Sequence, residues 1–357
     1  VRVPLVYHNG PLLGFDLGNR TAKLAQLEKR GKDIAVIGYG SVNFPTDTII
    51  EGIISDPETL AKAIKPLLSK ATGGKLTARK VAASLPVAKS FIRTLLLPTM
   101  SSSDLTEAVR LEAEQYVPIP LGDLYLDYEI IEQIPAVDSK PAQLNILMVA
   151  APRAIVNSYI QLFDALGLEI DSLEVSLASI TRAMLLGNAS SNTSLVADFG
   201  SQSTDLAIFD RVIRLTGSVA VGGDAFTATL VKSLGITPDQ ANEIKYKFGI
   251  GKSGLQPKII EALTPQLKSI VSEMKKVVKY YQDRNDKQPP ISQIILSGGS
   301  ASMPGLAEFL QEQVGLTVVL GNPWSQLQTK HVAPPRDIET PMYTTAIGLA
   351  LREVQRD

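Results

Sequence analysis

Cysteine is absent from the 357 residues, and with it go disulfides and every thiolate metal site. Histidine occurs only at His8 and His331, too few for a multi-histidine zinc site. The same scarcity argues against Ser–His or Cys–His catalysis, and no G-x-S-x-G elbow is present. No apolar run could span a bilayer; the best, 146–151, is strand-sized. No secretory signal opens the sequence, which begins at Val1. The sequons at Asn188 and Asn192 therefore read as an Asn/Ser linker, and a cytoplasmic location is expected. Neither charge sign is in excess: the formal net charge is −1, which gives no reason to expect a nucleic-acid partner or direct membrane insertion.

What is present is a duplication. Asp16-Leu-Gly-Asn-Arg-Thr-Ala-Lys-Leu-Ala25 recurs 182 positions later as Asp198-Phe-Gly-Ser-Gln-Ser-Thr-Asp-Leu-Ala207. In each copy an apolar run delivers an Asp, a Gly two places on and a hydroxyl residue (Thr21, Ser203). Both read as β-hairpins with tight glycine turns. Such turns offer backbone N–H groups to an anion while the Asp faces a hydrated cation. Two of them, one per half of a chain long enough for two ordinary cores, can clamp the phosphates of one nucleotide.

Periodicity places the rest. Asp56-Pro57 opens a helix with Leu60, Ile64, Leu67 and Leu68 on one face. Strands are expected at 81–85 and 91–97, then a helix begun in Ser101-Ser-Ser-Asp104, with its capping serine undecided, and ended by Pro118 and Pro120. Strands at 124–131 and 144–150 and a helix at 153–166 complete a compact α+β unit, 81–166, inserted into a first lobe of 1–190. The second lobe spans 191–340 and includes a smaller subdomain of about 214–290. Its long helix is expected to start at Pro265 with Thr264 as cap. The segment 341–357 is a helix returning to the first lobe.

A third element, Ile294-Ile-Leu-Ser-Gly-Gly-Ser-Ala-Ser-Met-Pro-Gly305, reads as a strand, a double-glycine turn and a helix start. Without Cβ atoms its backbone can lie against a flat ring or an α-phosphate. By contrast, Gly249-Ile-Gly-Lys-Ser-Gly254 follows a helical segment and lacks the first P-loop glycine, so it reads as a flexible loop.

Segments 14–24, 196–209 and 294–310 resemble the two phosphate elements and the adenosine element of the actin/Hsp70/hexokinase-type ATPases. The resemblance implies an α/β, actin-like (ribonuclease H-like) two-lobed ATPase fold with a small α+β insert in the first lobe. It implies ATP and Mg²⁺ as cofactors, with the metal held through water by Asp16 and Asp198. Gly18, Asn19, Arg20, Thr21 and Lys23 would meet the phosphates from the first turn, and Gly200, Ser201, Gln202 and Ser203 from the second. Gly222, Gly223, Asp224, Glu243 and Lys245 would flank ribose and base, although Glu243 and Lys245 read equally well as a solvated helix face. Gly298, Gly299, Ser300 and Met303 would form the adenosine corner.

The insert narrows the resemblance. Glu112-Ala-Glu-Gln-Tyr-Val-Pro-Ile-Pro-Leu121, followed by Leu126-Asp-Tyr128, is similar to the PilM family, the actin-like proteins of type IV pilus assembly, with FtsA-type cell-division proteins nearest in architecture. That implies an ATP-binding scaffold recruited to the inner-membrane face by partners. Its partner would be the N-terminal cytoplasmic tail of a PilN-like protein, held in a groove beside the insert, with pilus assembly ATPases as further candidates. A small-molecule kinase of the same superfamily and an FtsA-like membrane tether are the alternatives; the latter needs a C-terminal amphipathic helix after Leu351-Arg-Glu-Val-Gln-Arg-Asp357. The first connecting segment lacks the Glu-Pro that orients water in related ATPases: Val175 takes the glutamate's place. Hydrolysis is therefore expected to be slow or absent unless Glu174, one residue off, is the catalytic group.

Overall fold

The computed structural model describes residues 11–136, 141–186, 192–210, 212–283 and 289–354; the linker expected at 188–192 lies mostly outside them. The first hairpin joins β1 (Leu12–Leu17) to β2 (Thr21–Arg30), and β3 (Asp33–Asn43) continues the meander. A small hairpin of β4 (Ile49–Ile50) and β5 (Ile53–Ile54) precedes α1 (Pro57–Ser69). The α1 start is built from its sequence: the Asp56 carboxylate accepts the Thr59 N–H, and Pro57 sits where no donor is needed. Next come β6 (Gly73–Gly74) and β7 (Lys80–Leu85). The chain then leaves this sheet for β8 (Phe91–Pro98), α2 (Ser102–Tyr116), β9 (Leu124–Ile134) and β10 (Gln143–Pro152). It returns through α3 (Arg153–Leu166) to β11 (Glu169–Val175) and α4 (Ser176–Leu185).

The first sheet has the order β11-β7-β1-β2-β3-β6. One face packs on α1 and α3, where Phe15 meets Phe163 edge-on at 5.1 Å between centroids. The inserted strands form a separate antiparallel sheet, β8-β10-β9, covered by α2 through Leu105, Val109 and Ala113 on Ile146 and Met148. Ser101 is the serine that caps α2, accepting the Asp104 N–H. The insert is thus smaller than the expected 81–166. Strand β7 lies between β1 and β11, and α3 fills the first lobe's core. Alternation and helical period show that a face is buried, but not in which core.

The second lobe contains β12 (Ser194–Phe199), β13 (Thr204–Asp210) and β14 (Val212–Val219), then α5 (Gly223–Leu234), α6 (Pro238–Lys247) and α7 (Gln256–Asp283). Strand β15 (Gln293–Ser297), α8 (Leu306–Val314) and β16 (Thr317–Leu320) complete it, in the sheet order β14-β13-β12-β15-β16. The stretch 214–290 has no core of its own; Phe226, Leu267 and Met274 share one with Leu195, Phe199 and Ile294. Pro265 does not start a helix. It lies inside α7, and the Thr264 hydroxyl donates to Ile260 O at 2.6 Å instead of capping. Ile259, Leu263, Leu267 and Ile270 are all fully buried, and that burial outweighs the hydrogen bond the proline removes. Nor is 249–254 a flexible loop: Ile250 is buried and its N–H bonds Pro304 O at 2.9 Å.

Helix α9 (Thr344–Val354) packs on the sheet face opposite α1 and α3; of the helix expected at 341–357, residues 341–343 belong to a preceding 3-10 turn and 355–357 lie outside the described residues. There it crosses α4. A Cβ on Gly348 would lie 1.8 Å from Ser179 O, so only glycine permits the crossing.

Candidate functional site

The two duplicated bends are brought together where the lobes meet. In the first, Asp16 of β1 stands opposite Lys23 of β2, whose Nζ lies 2.8 Å from Oδ2, and the Ser84 hydroxyl of β7 donates to Oδ1 at 3.0 Å. The turn is closed by Gly18 N–H on Thr21 O, and the Thr21 hydroxyl holds Asn43. Arg20 at the tip reaches across to the other lobe and pairs with Asp224 at 2.9 Å.

In the second bend the cross-strand partner of Asp198 is another acid, Asp205. Seryl hydroxyls of Ser203 and Ser218 hold Asp205 at 3.1 and 2.6 Å. Burial first, then the charges of Asp205 and Asp16, push the Asp198 carboxyl up to about 7, with Lys23 opposing. The Asp16 charge thus reaches Asp198 from the other bend. Sequence reading missed Asp205, although it follows Asp198 by seven positions as Lys23 follows Asp16.

The remaining expected residues fall into two groups. Gly200 closes its turn through N–H bonds to Asp198 O and Ser203 O, Ser201 O accepts from Asp224 N–H, and Gln202 is exposed on the turn. Gly223 N–H bonds Gly200 O, and Ser300 Oγ would lie 2.4 Å from a Cβ on Gly223. At Gly298, φ +91°, a Cβ would lie 2.5 Å from Phe199 O and 2.7 Å from Asp198 Oδ1, whereas one on Gly299 would meet nothing within 4 Å. Asn19 is half-buried in the first turn. Lys245 is no solvated helix face: it is 3% exposed, with Nζ 2.9 Å from Thr227 Oγ1 and 3.2 Å from Gly223 O. Burial pulls its ammonium down to about 8 against the opposing pull of Asp224.

Three expectations are displaced. Glu243 stands exposed on α6 and makes no hydrogen bond or ion pair among the described residues. Met303 is 2% exposed in the second lobe's core, beside Gly249. Glu174 is held by two guanidinium groups: Arg182 at 2.7 and 2.9 Å and Arg352 at 3.1 Å. Three guanidinium N–H bonds hold this carboxylate in place, one on Oε1 and two on Oε2, so it is not free to swing onto an attacking water. Its neighbour Val175 is buried and apolar.

Among the described residues no cluster of three or more acidic or histidine side chains forms a direct metal cage. The crowding of Asp16, Asp198 and Asp205 against one lysine nevertheless fits a hydrated divalent cation, whose charge would relieve the repulsion at Asp198.

The model of the type IV pilus assembly protein PilM matches residues 14–354. The chain belongs to the PilM family. It is similar over 98% of its length to the whole of a chain in the PilM-PilN type IV pilus biogenesis complex, at 25% identity and a TM-score of 0.83. MreB 5 of Spiroplasma citri bound to AMPPNP covers 95% of it at 10% identity and a TM-score of 0.52, which supports the actin-like two-lobed fold alone. The cell division protein FtsA of Streptococcus pneumoniae is 23% identical over 345 residues, 87% of this chain and 75% of that one. No helix among the described residues is long and apolar enough to cross a membrane.

Proposed function

We propose that this PilM-family chain is an ATP-binding scaffold of the type IV pilus assembly platform, holding Mg²⁺-ATP between its lobes. The observation that carries the reading is the meeting of the two duplicated bends: Arg20 at the tip of the first pairs at 2.9 Å with Asp224, whose N–H is held by Ser201 O of the second, with Asp16 paired to Lys23 at 2.8 Å. Through water Asp16 and Asp198 would hold the metal, which supplies charge neutralisation for the phosphates. Lys23 and the Gly18 and Gly200 turns would face the phosphates, and Gly299 leaves the open surface a flat ring needs. Hydrolysis is slow or absent because Glu174 is sequestered by Arg182 and Arg352.

The partner is the N-terminal cytoplasmic tail of a PilN-like inner-membrane protein, in a groove beside the insert; pilus assembly ATPases are further candidates. The PilM-PilN complex supports this at 25% identity. The insert packs on both the connecting segment and the second lobe, where Ile92 and Leu147 meet Val175, Ala207 and Phe209. A tail bound there would favour one lobe setting, and nucleotide and tail would alter each other's affinity by the same factor. Titrating the tail peptide with and without Mg²⁺-ATP tests this. A shift of roughly fivefold or more is expected; an unchanged affinity removes the coupling, and no binding removes the partner.

A further inference from the structure

The two bends differ at their tips. Four places after its aspartate the first copy carries Arg20, where the second carries Gln202. Both residues are exposed, so only the first lobe's turn ends in a cation.

The other cations of the cleft are committed. Lys23 pairs with Asp16 in a largely buried contact, its Nζ 3.7 Å from where a Gly18 Cβ would stand. Lys245 is buried against Gly223 O and Thr227. Arg20 differs from both. Its side chain is half-exposed, and its Nε alone is engaged, facing the two Asp224 oxygens at 2.9 and 3.0 Å. Among the described residues its terminal N–H groups make no hydrogen bond, so the fork of the guanidinium is open. Asp224 has other support. It stands in the first turn of α5, where the helix dipole favours an anion, and the charge of Lys245 also reaches it. Losing Arg20 therefore leaves Asp224 with a countercharge.

We propose that Arg20 is an exchangeable phosphate reader: Asp224 holds it in the nucleotide-free chain, and the terminal phosphate of a nucleoside triphosphate takes it over. This rests on the ATP-binding reading above and adds which phosphate the chain distinguishes. Asp16 and Asp198, the acids that would hold the metal, mark the terminal-phosphate end, because a divalent cation bridges the outer phosphates. Arg20 stands on the same turn as Asp16. A phosphate accepts paired bonds from the guanidinium fork, whereas Asp224 engages Nε alone. An exposed carboxylate pair contributes little, so the phosphate wins the exchange. Because Asp224 belongs to the other lobe, the exchange also unpins the lobes at that point. The triphosphate and diphosphate states then differ in how the lobes are tied.

Calorimetric titration of ATP and of ADP, each with Mg²⁺, into the native chain, Arg20→Ala, Asp224→Asn and the double variant tests this. Arg20→Ala should weaken ATP by about tenfold or more and ADP by less than about twofold. Asp224→Asn should raise the ratio of ATP to ADP affinity, since Arg20 no longer has to be won from it. That rise should vanish in the double variant. Arg20→Lys, which keeps the charge without the fork, should lose most of the preference for ATP. Equal losses of ATP and ADP in Arg20→Ala, or an Asp224→Asn gain that persists without Arg20, overturn the exchange and leave the ATP-binding reading standing. A native chain that binds neither nucleotide overturns both.

Discussion

Asp16 and Asp198 hold equivalent places in two hairpins, and one residue separates their environments: Lys23 faces the first, Asp205 the second. Folded, Asp198 keeps its proton up to about 7, whereas in the unfolded chain it is lost near 4. The folded state therefore binds more protons between those values, and stability falls as pH rises through that window. Asp198→Asn should raise the melting temperature at pH 8 by a few degrees, roughly 1 kcal/mol or more, and give no gain at pH 4. Scanning both proteins without divalent cations checks this; an equal gain at both values contradicts it. Glu174 carries the opposite expectation. Glu174→Ala leaves Arg182 with Gly348 O and Arg352 with the more distant Asp171, and should cost about 2 kcal/mol in denaturant unfolding, with any slow ATP turnover unchanged; abolished turnover would restore it as the base. Both aspartates were legible because the repeat marks them. Asp205 was equally marked, but only aligning the copies exposes it. Lys245 was named from the resemblance, but its burial was not legible, because a lysine on a helix reads equally well as solvated until Gly223 O and Thr227 are seen around it.

At the scale of elements, most helices and strands lie where apolar period and caps put them: Asp56 caps α1, and α3 ends at Gly167 with φ 70°. The errors share a cause. Placing β7 and α3 in the insert, and starting a helix at Pro265, both followed local signals that burial elsewhere overrode. The crossing of α4 and α9 was invisible in sequence, since a helical glycine names no partner. Gly348→Ala puts a methyl against Ser179 O and should cost about 3 kcal/mol. Gly122→Ala, with nothing within 4 Å of its Cβ, should be neutral. Thermal melts of the pair decide it; equal melts would mean the helices separate freely.

Across the whole molecule, the lobes are joined near the cleft by Arg20–Asp224, a pair whose side chains are 51% and 31% exposed. Exposed pairs are worth about 0–1 kcal/mol, so this tie is weak enough for a ligand to break. The firmer joints are apolar: α9 under the first sheet, and the insert on Ala207 and Phe209. The two-lobed plan was readable from the repeat alone, because a duplicated bend implies a duplicated body. How the insert leans on the second lobe was not, since Ile92 and Phe209 are 117 positions apart and neither announces the other.

The central claim is that one Mg²⁺-nucleotide is shared by both bends. Calorimetric titration of Mg²⁺-ATP into the native chain, Asp16→Asn, Asp198→Asn and the double variant tests it most directly. A shared site predicts that each single change removes most of the affinity and that the double variant loses far less than the sum of the two, because both act on one ion. Full affinity in either single variant, or losses that simply add, would contradict it.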